Sequence, residues 1–200
     1  MSDELQQSGL FDAPQQFPHG LVYRPDFLTR AEEAALLAAI APLPLREARF
    51  REYFAKRRVV HFHASADAPA YEEGEEDSIS GGPLPAFLTD LLQNVAEWVE
   101  VAPERFVHAL VSEYRPGTPI GWHRDKAVYG IVVGISLAGW GRMRWRPLAS
   151  HSDRKDVVAL DLAPRSAYVM RGPIRWEWQH SMLPTKALRY SITFRTQAGT

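Results

Sequence analysis

His123 and Asp125 are separated by a single residue, a spacing that could place both side chains on one metal ion. On an extended segment, alternate side chains point to the same side. A turn sequence at 114–117 precedes the pair, and the apolar segment 130–137 follows it. A pair in this position can be sheltered and still open to substrate. The spacing alone is equally consistent with two polar side chains that bind no metal. A second pair of this type, His151 and Asp153, lies in a polar run typical of a solvated loop.

His180 is a candidate third ligand, which would complete a set of two histidines and one carboxylate. Such a set leaves coordination positions open and suits iron(II) and dioxygen chemistry. Taken alone, His180 could equally be a hydrogen-bonded core or surface histidine. The chain has no cysteine, so any metal site must use His, Asp and Glu.

The segment 189–195 alternates between polar and apolar residues. As a strand it would present two guanidiniums and two hydroxyls on one face and an apolar row on the other. On a solvated sheet the polar face would simply contact water. Inside a barrel the same row would bind an anion, because arginine binds carboxylates through paired hydrogen bonds. The polar members are Arg189, Ser191, Thr193 and Arg195.

The elements that must position these residues change character near Pro103. Before it, a capping box at Thr29 and Glu32 predicts a helix that ends before Pro42, and apolar spacing predicts a second helix over 85–99. After it, short apolar runs separated by Gly and Pro predict an antiparallel sandwich, barrel or jelly roll. These runs are 106–114, 131–137, 142–146, 157–162, 166–171 and 189–195.

Composition indicates one globular domain in a chain of 200 residues that is 46% hydrophobic. We divide it into a flexible lead-in (1–20), an N-terminal helical extension with a candidate substrate lid (21–104) and a β core (105–200). No segment suits a membrane span or a signal peptide, which predicts a cytoplasmic protein. No obligate protein partner is evident, and a monomer is expected. Residues 1–100 carry 8 Lys/Arg against 17 Asp/Glu, whereas residues 101–200 carry 15 against 7. The basic half could attract a polyanion, or it could be an uneven surface without a partner.

Three motifs together resemble the AlkB-like branch of the Fe(II)/2-oxoglutarate-dependent dioxygenases. They are YRPGTPIGWHRDK at 114–126, the later His180, and RYSITFR at 189–195. The resemblance covers about residues 105–196. It implies a mainly β, α+β fold with a double-stranded β-helix core and flanking N-terminal helices. It also implies an enzyme that uses iron(II) and 2-oxoglutarate to hydroxylate a C–H bond, releasing succinate and carbon dioxide. On an N-methyl group the hydroxylated product would release formaldehyde.

The resemblance assigns roles residue by residue. His123, Asp125 and His180 would bind iron. Arg189 would pair with the distal carboxylate of 2-oxoglutarate, helped by Tyr114 and Ser191. Arg195 would lie near the carboxylate that chelates the metal, with Thr193 on the same wall. Ser112 and Ser191 stand where the best-known bacterial member has asparagines, and both can still form hydrogen bonds. Ala127 and Val128 stand where that member has an acidic pair that helps to recognise the damaged base.

Alkylated DNA or RNA is the expected substrate, and the basic, aromatic segment 46–63 is the candidate lid. An ordinary surface segment, with its basic face in solvent and its apolar face packed on the core, would explain the same pattern. Trp122 could be a substrate platform or a core residue. Two other functions remain open: a 2-oxoglutarate-dependent hydroxylase of a protein or small molecule, and a noncatalytic β-barrel binding module. The candidate substrate residues are Tyr53, Lys56, Arg57, Arg58, Trp122 and Lys126.

Overall fold

The computed structural model describes residues 17–50, 53–63, 80–148 and 156–199, with the backbone alone at 48–50 and 53–56. Helix α1 (Arg30–Ile40) begins as the capping box predicts: the Glu32 amide donates to Thr29 Oγ1 at 3.2 Å, and the Thr29 amide donates to Glu32 Oε2 at 2.7 Å. Helix α2 (Ala86–Val99) buries its apolar stripe and ends at Glu100, which has a left-handed backbone. Both predicted helices are confirmed.

Strands form two sheets, and each predicted apolar run corresponds to a strand. In the described part of the chain, the larger sheet has the order β1-β10-β7-β12-β5-β3-β2, with β4 parallel to β3, and the smaller has the order β6-β11-β8-β9. The strands are β1 (Leu21–Arg24), β2 (Arg46–Phe50), β3 (Tyr53–His63), β4 (Ser80–Pro83), β5 (Phe106–Tyr114), β6 (Ile120–His123), β7 (Tyr129–Leu137), β8 (Gly141–Pro147), β9 (Val158–Leu162), β10 (Ala167–Met170), β11 (Trp178–Met182) and β12 (Arg189–Gln197). A short helix, α3 (Pro173–Trp176), precedes β11.

The larger sheet has one apolar face, which packs against α1 and α2. Because side chains alternate along a strand, this face collects every second residue of β3, β5, β7, β10 and β12. Burying it in one cluster with the helices removes a large apolar area from water, which is the main force holding the helices in place. The sheet residues of this cluster include Val60, Phe62, Ala109, Val111, Val133, Ile135, Val169, Ile192 and Phe194.

The other face of the larger sheet is turned toward the smaller sheet. A second apolar cluster lies here, built on Trp145, Leu162, Met170, Ile174 and Met182. It fills only part of the space between the sheets, and polar side chains line the rest. Two facing antiparallel sheets with helices on one outer side confirm the predicted mainly β, double-stranded β-helix fold.

Within segment 46–63, the candidate lid, the described residues form β2 and β3, which pair at the edge of the larger sheet. β3 pairs with β5 from Arg58↔Glu113 to His63↔His108, because its apolar alternate residues continue the buried face. In its described residues, the extension 21–104 therefore contributes four strands in addition to its two helices. Most of the lead-in and the pair His151 and Asp153 lie outside the described residues. No described helix has the length and apolarity required to span a membrane.

Candidate active site

The pocket between the two sheets collects nine side chains that sequence analysis assigned to metal or cosubstrate. It contains about 470 Å³ of empty space, part of it open to solvent. The larger sheet supplies one wall, and the smaller sheet with the loop after β6 supplies the other. The nine are His123, Asp125, His180, Ser112, Tyr114, Arg189, Ser191, Thr193 and Arg195.

The two candidate histidine ligands meet because β6 and β11 are antiparallel neighbours. His123 and His180 are direct cross-strand partners, and their ring centroids lie 4.2 Å apart. His123 Nδ1 lies 2.9 Å from the Gly121 carbonyl, so Nδ1 donates to that oxygen and Nε2 keeps its lone pair. Burial lowers the pKa of His123 and lowers that of His180 to about 3. Both rings are therefore neutral, as metal ligands must be.

Asp125 follows β6 and turns its carboxylate toward His180. Its Oδ2 lies 3.5 Å from His180 Nε2, and its Oδ1 accepts from Arg195 Nε at 2.8 Å and Nη2 at 2.7 Å. Burial alone would raise the pKa of Asp125, but the charge of Arg195 and its hydrogen bond to the carboxylate hold the pKa well below its usual range. The site therefore offers an ionised carboxylate at neutral pH.

The loop that carries Asp125 is fastened by a residue that sequence analysis missed. Arg175, 3% exposed in α3, donates from Nη2 to the carbonyls of Lys126 and Tyr129, both at 2.6 Å, and from Nε to that of Gly130 at 3.0 Å. One guanidinium thus ties the loop to the start of β7. Contacts across 45 or more residues leave no local pattern in the sequence.

Arg189 lies at the opposite end of the pocket and is 1% exposed. Its Nε donates to Ser136 Oγ at 3.0 Å, and its guanidinium lies 5.0 Å from the centre of the Tyr114 ring. Among the described residues, two buried polar side-chain atoms have no hydrogen-bond partner: Arg189 Nη1 and Ser112 Oγ. Buried polar groups are almost always paired, so both atoms indicate a missing polar ligand.

Tyr114 lies beside these two atoms. Burial alone would raise the pKa of its phenol, but the charges of Arg57 and Arg189 and hydrogen bonds with Ser191 and Arg57 together lower it. Arg57 was grouped with the substrate residues from its sequence. The structure places it in the pocket, because it lies on the same face of the larger sheet as Tyr114.

Of the remaining candidate substrate residues, the three whose side chains the structure describes do not line the pocket. Arg58 pairs with Glu113 at 3.0 Å and donates to the Leu45 carbonyl at 2.7 Å. Trp122 is neither a core residue nor part of the pocket wall: it is half-buried under the guanidiniums of Arg144 and Arg146, whose centres lie 4.9 and 4.4 Å from its ring. Lys126 is exposed beside Asp125. The side chains of Tyr53 and Lys56 lie outside the described residues.

Whether the site suits a metal ion depends on the chemical type of its donor atoms. Within the described ranges, no group of three or more His, Cys, Asp or Glu side chains is arranged closely enough to hold a metal ion as it stands. Two neutral imidazoles and one ionised carboxylate, gathered at one end of a pocket, are nevertheless donors that iron(II) accepts. At the other end, the unpartnered Arg189 nitrogen and Ser112 hydroxyl suit a carboxylate. The residues therefore fit both a metal and a dicarboxylate.

Comparisons with known proteins show which family the chain resembles. A family model described as the 2OG-Fe(II) oxygenase superfamily matches residues 20–195. The chain is 28% identical over 191 residues to the Alkylated DNA repair protein ALKBH8 homolog of Arabidopsis thaliana, with 86% of this chain and 52% of the relative covered. It is 25% identical over 127 residues to an uncharacterised protein of Acanthamoeba polyphaga mimivirus, with 56% of this chain and 58% of that protein covered. The chain thus spans little more than half the length of these relatives.

Two solved structures share the fold. The structure of OsALKBH1 superposes with a TM-score of 0.67 at 16% identity, covering 91% of this chain and 100% of that one. A prolyl-4-hydroxylase of Pseudomonas putida superposes with a TM-score of 0.59 at 17% identity, covering 90% of this chain and 93% of that one. At these identities the likeness extends to the fold alone.

Proposed function

This chain belongs to the 2OG-Fe(II) oxygenase superfamily, and from that membership we propose that it removes alkyl groups from nucleobases in DNA or RNA. The observation that supports the oxygenase chemistry is a single pocket with a donor set at each end. The histidines and Asp125 form one end, and the unpartnered Arg189 Nη1 forms the other. The substrate class is supported by the name of the Arabidopsis relative, an alkylated-DNA repair protein homologue.

Iron(II) bound at this site would couple the oxidative decarboxylation of 2-oxoglutarate by dioxygen to insertion of one oxygen atom into a substrate C–H bond. The chain's own residues would hold the reactants in place. His123 Nε2, His180 and Asp125 Oδ2 would bind the metal, while Arg195 retains Asp125 Oδ1. A carboxylate held in this way has one oxygen left for the metal, which fixes its orientation.

The distal carboxylate of 2-oxoglutarate would bind to Arg189 Nη1. Tyr114 and the hydroxyls of Ser112 and Ser191 lie on the same wall and can donate to its oxygens. Apolar side chains between the two ends would line the carbon chain and exclude water, which strengthens each polar contact. These side chains are Leu110, Ile120, Val132 and Met143.

The basic residues of β8 support a second type of substrate, because their guanidiniums already bind other groups of the protein. Nucleic-acid binding needs cations directed at phosphates. In this structure Arg142 pairs with Asp161 at 2.8 Å, Arg144 donates to Ser181 and Arg146 donates to Gln179. Oxygenation of a protein or small molecule by the same metal and cosubstrate residues is therefore the second candidate function.

The test is 2-oxoglutarate turnover with iron(II), ascorbate and a panel of methylated DNA and RNA oligonucleotides, with succinate and formaldehyde as readouts. We expect oligonucleotide-stimulated formaldehyde release that the Asp125→Ala variant abolishes. Asp90→Ala, on the exposed side of α2, is the matched control and should retain activity. Succinate formation that no oligonucleotide stimulates would refute the nucleobase proposal and favour the second candidate. Absence of both turnover and metal binding would refute the proposed enzyme activity of this chain.

A further inference from the structure

Three histidines form a cluster centred on His108, which contacts Arg195, and the proposed reaction does not use them. His61 and His63 are on β3, and His108 is on β5 opposite His63. His61 and His108 are buried, with 7% and 3% of their surfaces exposed. The Tyr129 ring stacks on His108, with centroids 5.1 Å apart and planes 29° apart. Buried imidazoles need hydrogen-bond partners, so their partners indicate what they do.

His108 joins Arg195 to His61. Arg195 Nη1 lies 3.2 Å from His108 Nδ1, and His108 Nε2 lies 3.1 Å from His61 Nδ1. A guanidinium can only donate, so His108 Nδ1 must accept and His108 must carry its proton on Nε2. That proton is donated to His61 Nδ1, which must therefore also accept. The arrangement fixes one tautomer for each histidine and makes both rings neutral.

The pKa values are consistent with this assignment. Burial and the charge of Arg195 lower the pKa of His108 far below its usual range. Burial, followed by the charge of Arg195, lowers the pKa of His61 to about 3. Neither ring would be protonated at neutral pH, so the Nδ1 acceptor facing Arg195 is retained.

The other end of the same guanidinium holds the candidate metal ligand. Nε and Nη2 of Arg195 both donate to Asp125 Oδ1, and Nη1 donates to His108. The face of the guanidinium lies 5.5 Å from the centre of the Tyr129 ring. Each of the three nitrogens is thus engaged, and the position of the guanidinium depends on acceptors on two different elements.

We infer that His108 is a positioning residue for the metal centre: through Arg195 it orients the Asp125 carboxylate, and His61 selects the tautomer in which it can do so. The inference rests on the proposed function, because it concerns a metal that Asp125 would bind. It adds a second layer of residues behind the ligands. Second-layer residues of this kind set metal affinity because they fix the direction of the ligand's lone pairs.

Two nearly isosteric substitutions separate the two hydrogen bonds of His108. In His108→Asn the amide reaches the position of Nδ1, so an acceptor for Arg195 remains. In His108→Gln the amide reaches the position of Nε2, so the contact with His61 remains and that with Arg195 is lost. Binding of Mn(II) alone, measured by calorimetry without 2-oxoglutarate, is the readout, and thermal unfolding shows whether each variant is folded. We expect His108→Gln to weaken Mn(II) binding roughly 10- to 100-fold and His108→Asn to change it less than about threefold.

A second measurement uses the unaltered, metal-free protein and does not depend on the variants. Imidazole ¹⁵N shifts report which nitrogen carries the proton, and we expect Nε2 protonation in both His61 and His108. Protonation of His108 at Nδ1, or Mn(II) binding by His108→Gln as tight as that of the unaltered protein, would overturn the inference alone. An unaltered protein that fails to bind Mn(II) would overturn the inference together with the proposed function.

Discussion

Arg189 and Ser136 form a buried contact in which Arg189 Nε donates to Ser136 Oγ at 3.0 Å, while Nη1 of the same guanidinium has no partner. The serine fixes the orientation of the guanidinium, and the open nitrogen is the expected contact for 2-oxoglutarate. The two residues lie on neighbouring strands, β12 and β7, two register positions away from direct pairing, so their side chains share one face of the sheet.

Arg189→Met should abolish most of the affinity for 2-oxoglutarate, because the distal carboxylate would lose its buried charged partner. We expect at least ~30-fold weaker binding, the lower end of the effect of removing one partner of a buried charged pair. Ser136→Ala should weaken binding less, since the guanidinium remains but is less firmly oriented. Anaerobic calorimetry with 2-oxoglutarate measures both. Equal affinity in Arg189→Met and the unaltered protein would contradict the assignment.

Arg57 and Arg58 are adjacent in sequence but lie on opposite faces of β3, so they form a matched pair. Arg57→Gln should weaken 2-oxoglutarate binding roughly tenfold, about one charge-assisted hydrogen bond, and leave unfolding nearly unchanged. Arg58→Gln should do the reverse. It removes an ion pair from the buried Glu113 and should cost about 1–3 kcal/mol of stability without altering affinity. Titration with 2-oxoglutarate and urea unfolding of both variants measure the two effects. Equal effects of the two substitutions, or effects opposite to those expected, would contradict the prediction.

Gly134 lies under the ring of Tyr168. A Cβ at Gly134 would come within 2.4 Å of ring carbons and 2.6 Å of the phenol oxygen. Gly134→Ala should therefore lower the free energy of unfolding by about 1–3 kcal/mol through overpacking, and the shorter Tyr168→Leu side chain should restore part of it. Gly121→Ala is the control, since no atom lies within 4 Å of its Cβ. Similar thermal unfolding shifts in the two alanine variants would refute the steric argument.

The metal-free protein should lose stability between pH 6.5 and about 3, and His61 should account for part of the loss. Its folded pKa of about 3 lies below the ordinary 6.5, because of burial and then of the nearby positive charges Arg195, Arg57, His63 and Lys126. As pH falls, the unfolded chain therefore binds the proton at a higher pH than the folded protein does. The stabilisation is complete above the unfolded pKa of His61 and is lost as pH falls toward the folded pKa.

His61→Asn keeps an acceptor near Nδ1 and removes the titration. Between pH 7 and pH 5, its unfolding free energy should fall by about 2 kcal/mol less than that of the unaltered protein. Urea unfolding at the two pH values measures the difference, and the remaining histidines are common to both proteins. Identical losses in the two proteins would show that His61 titrates normally.

Sequence was sufficient for both helices and for six described strands of the core, whereas β1–β4 in the N-terminal extension were not predicted. The Thr29–Glu32 capping box, the apolar spacing of α2 and the alternation of β12 are each encoded within a few neighbouring residues. The roles of His123, Asp125 and His180 stay proposals, although the structure gathers them in one pocket. His180 can join the other two residues because β6 and β11 pair with His123 directly opposite His180.

The remaining site residues depend on contacts that no short segment encodes. Arg57 and Arg58 are the same residue type, and only the pairing of β3 with β5 decides which of them faces the pocket. His108 becomes part of the site because Arg195, 87 residues later, lies on the strand beside it. Arg175 and Ser136 act likewise through distant backbone and side-chain contacts. Register and long-range pairing, rather than residue type, determine these roles.

The two-sided construction of β12 restricts how this gene can change. Polar residues of the pocket and apolar residues of the helix-packed core alternate along it, from Arg189 to Phe194. Deleting one codon within the strand would exchange the two sets, placing guanidiniums among the helices and aromatic rings in the pocket. Changes in length must therefore be confined to the connections between strands.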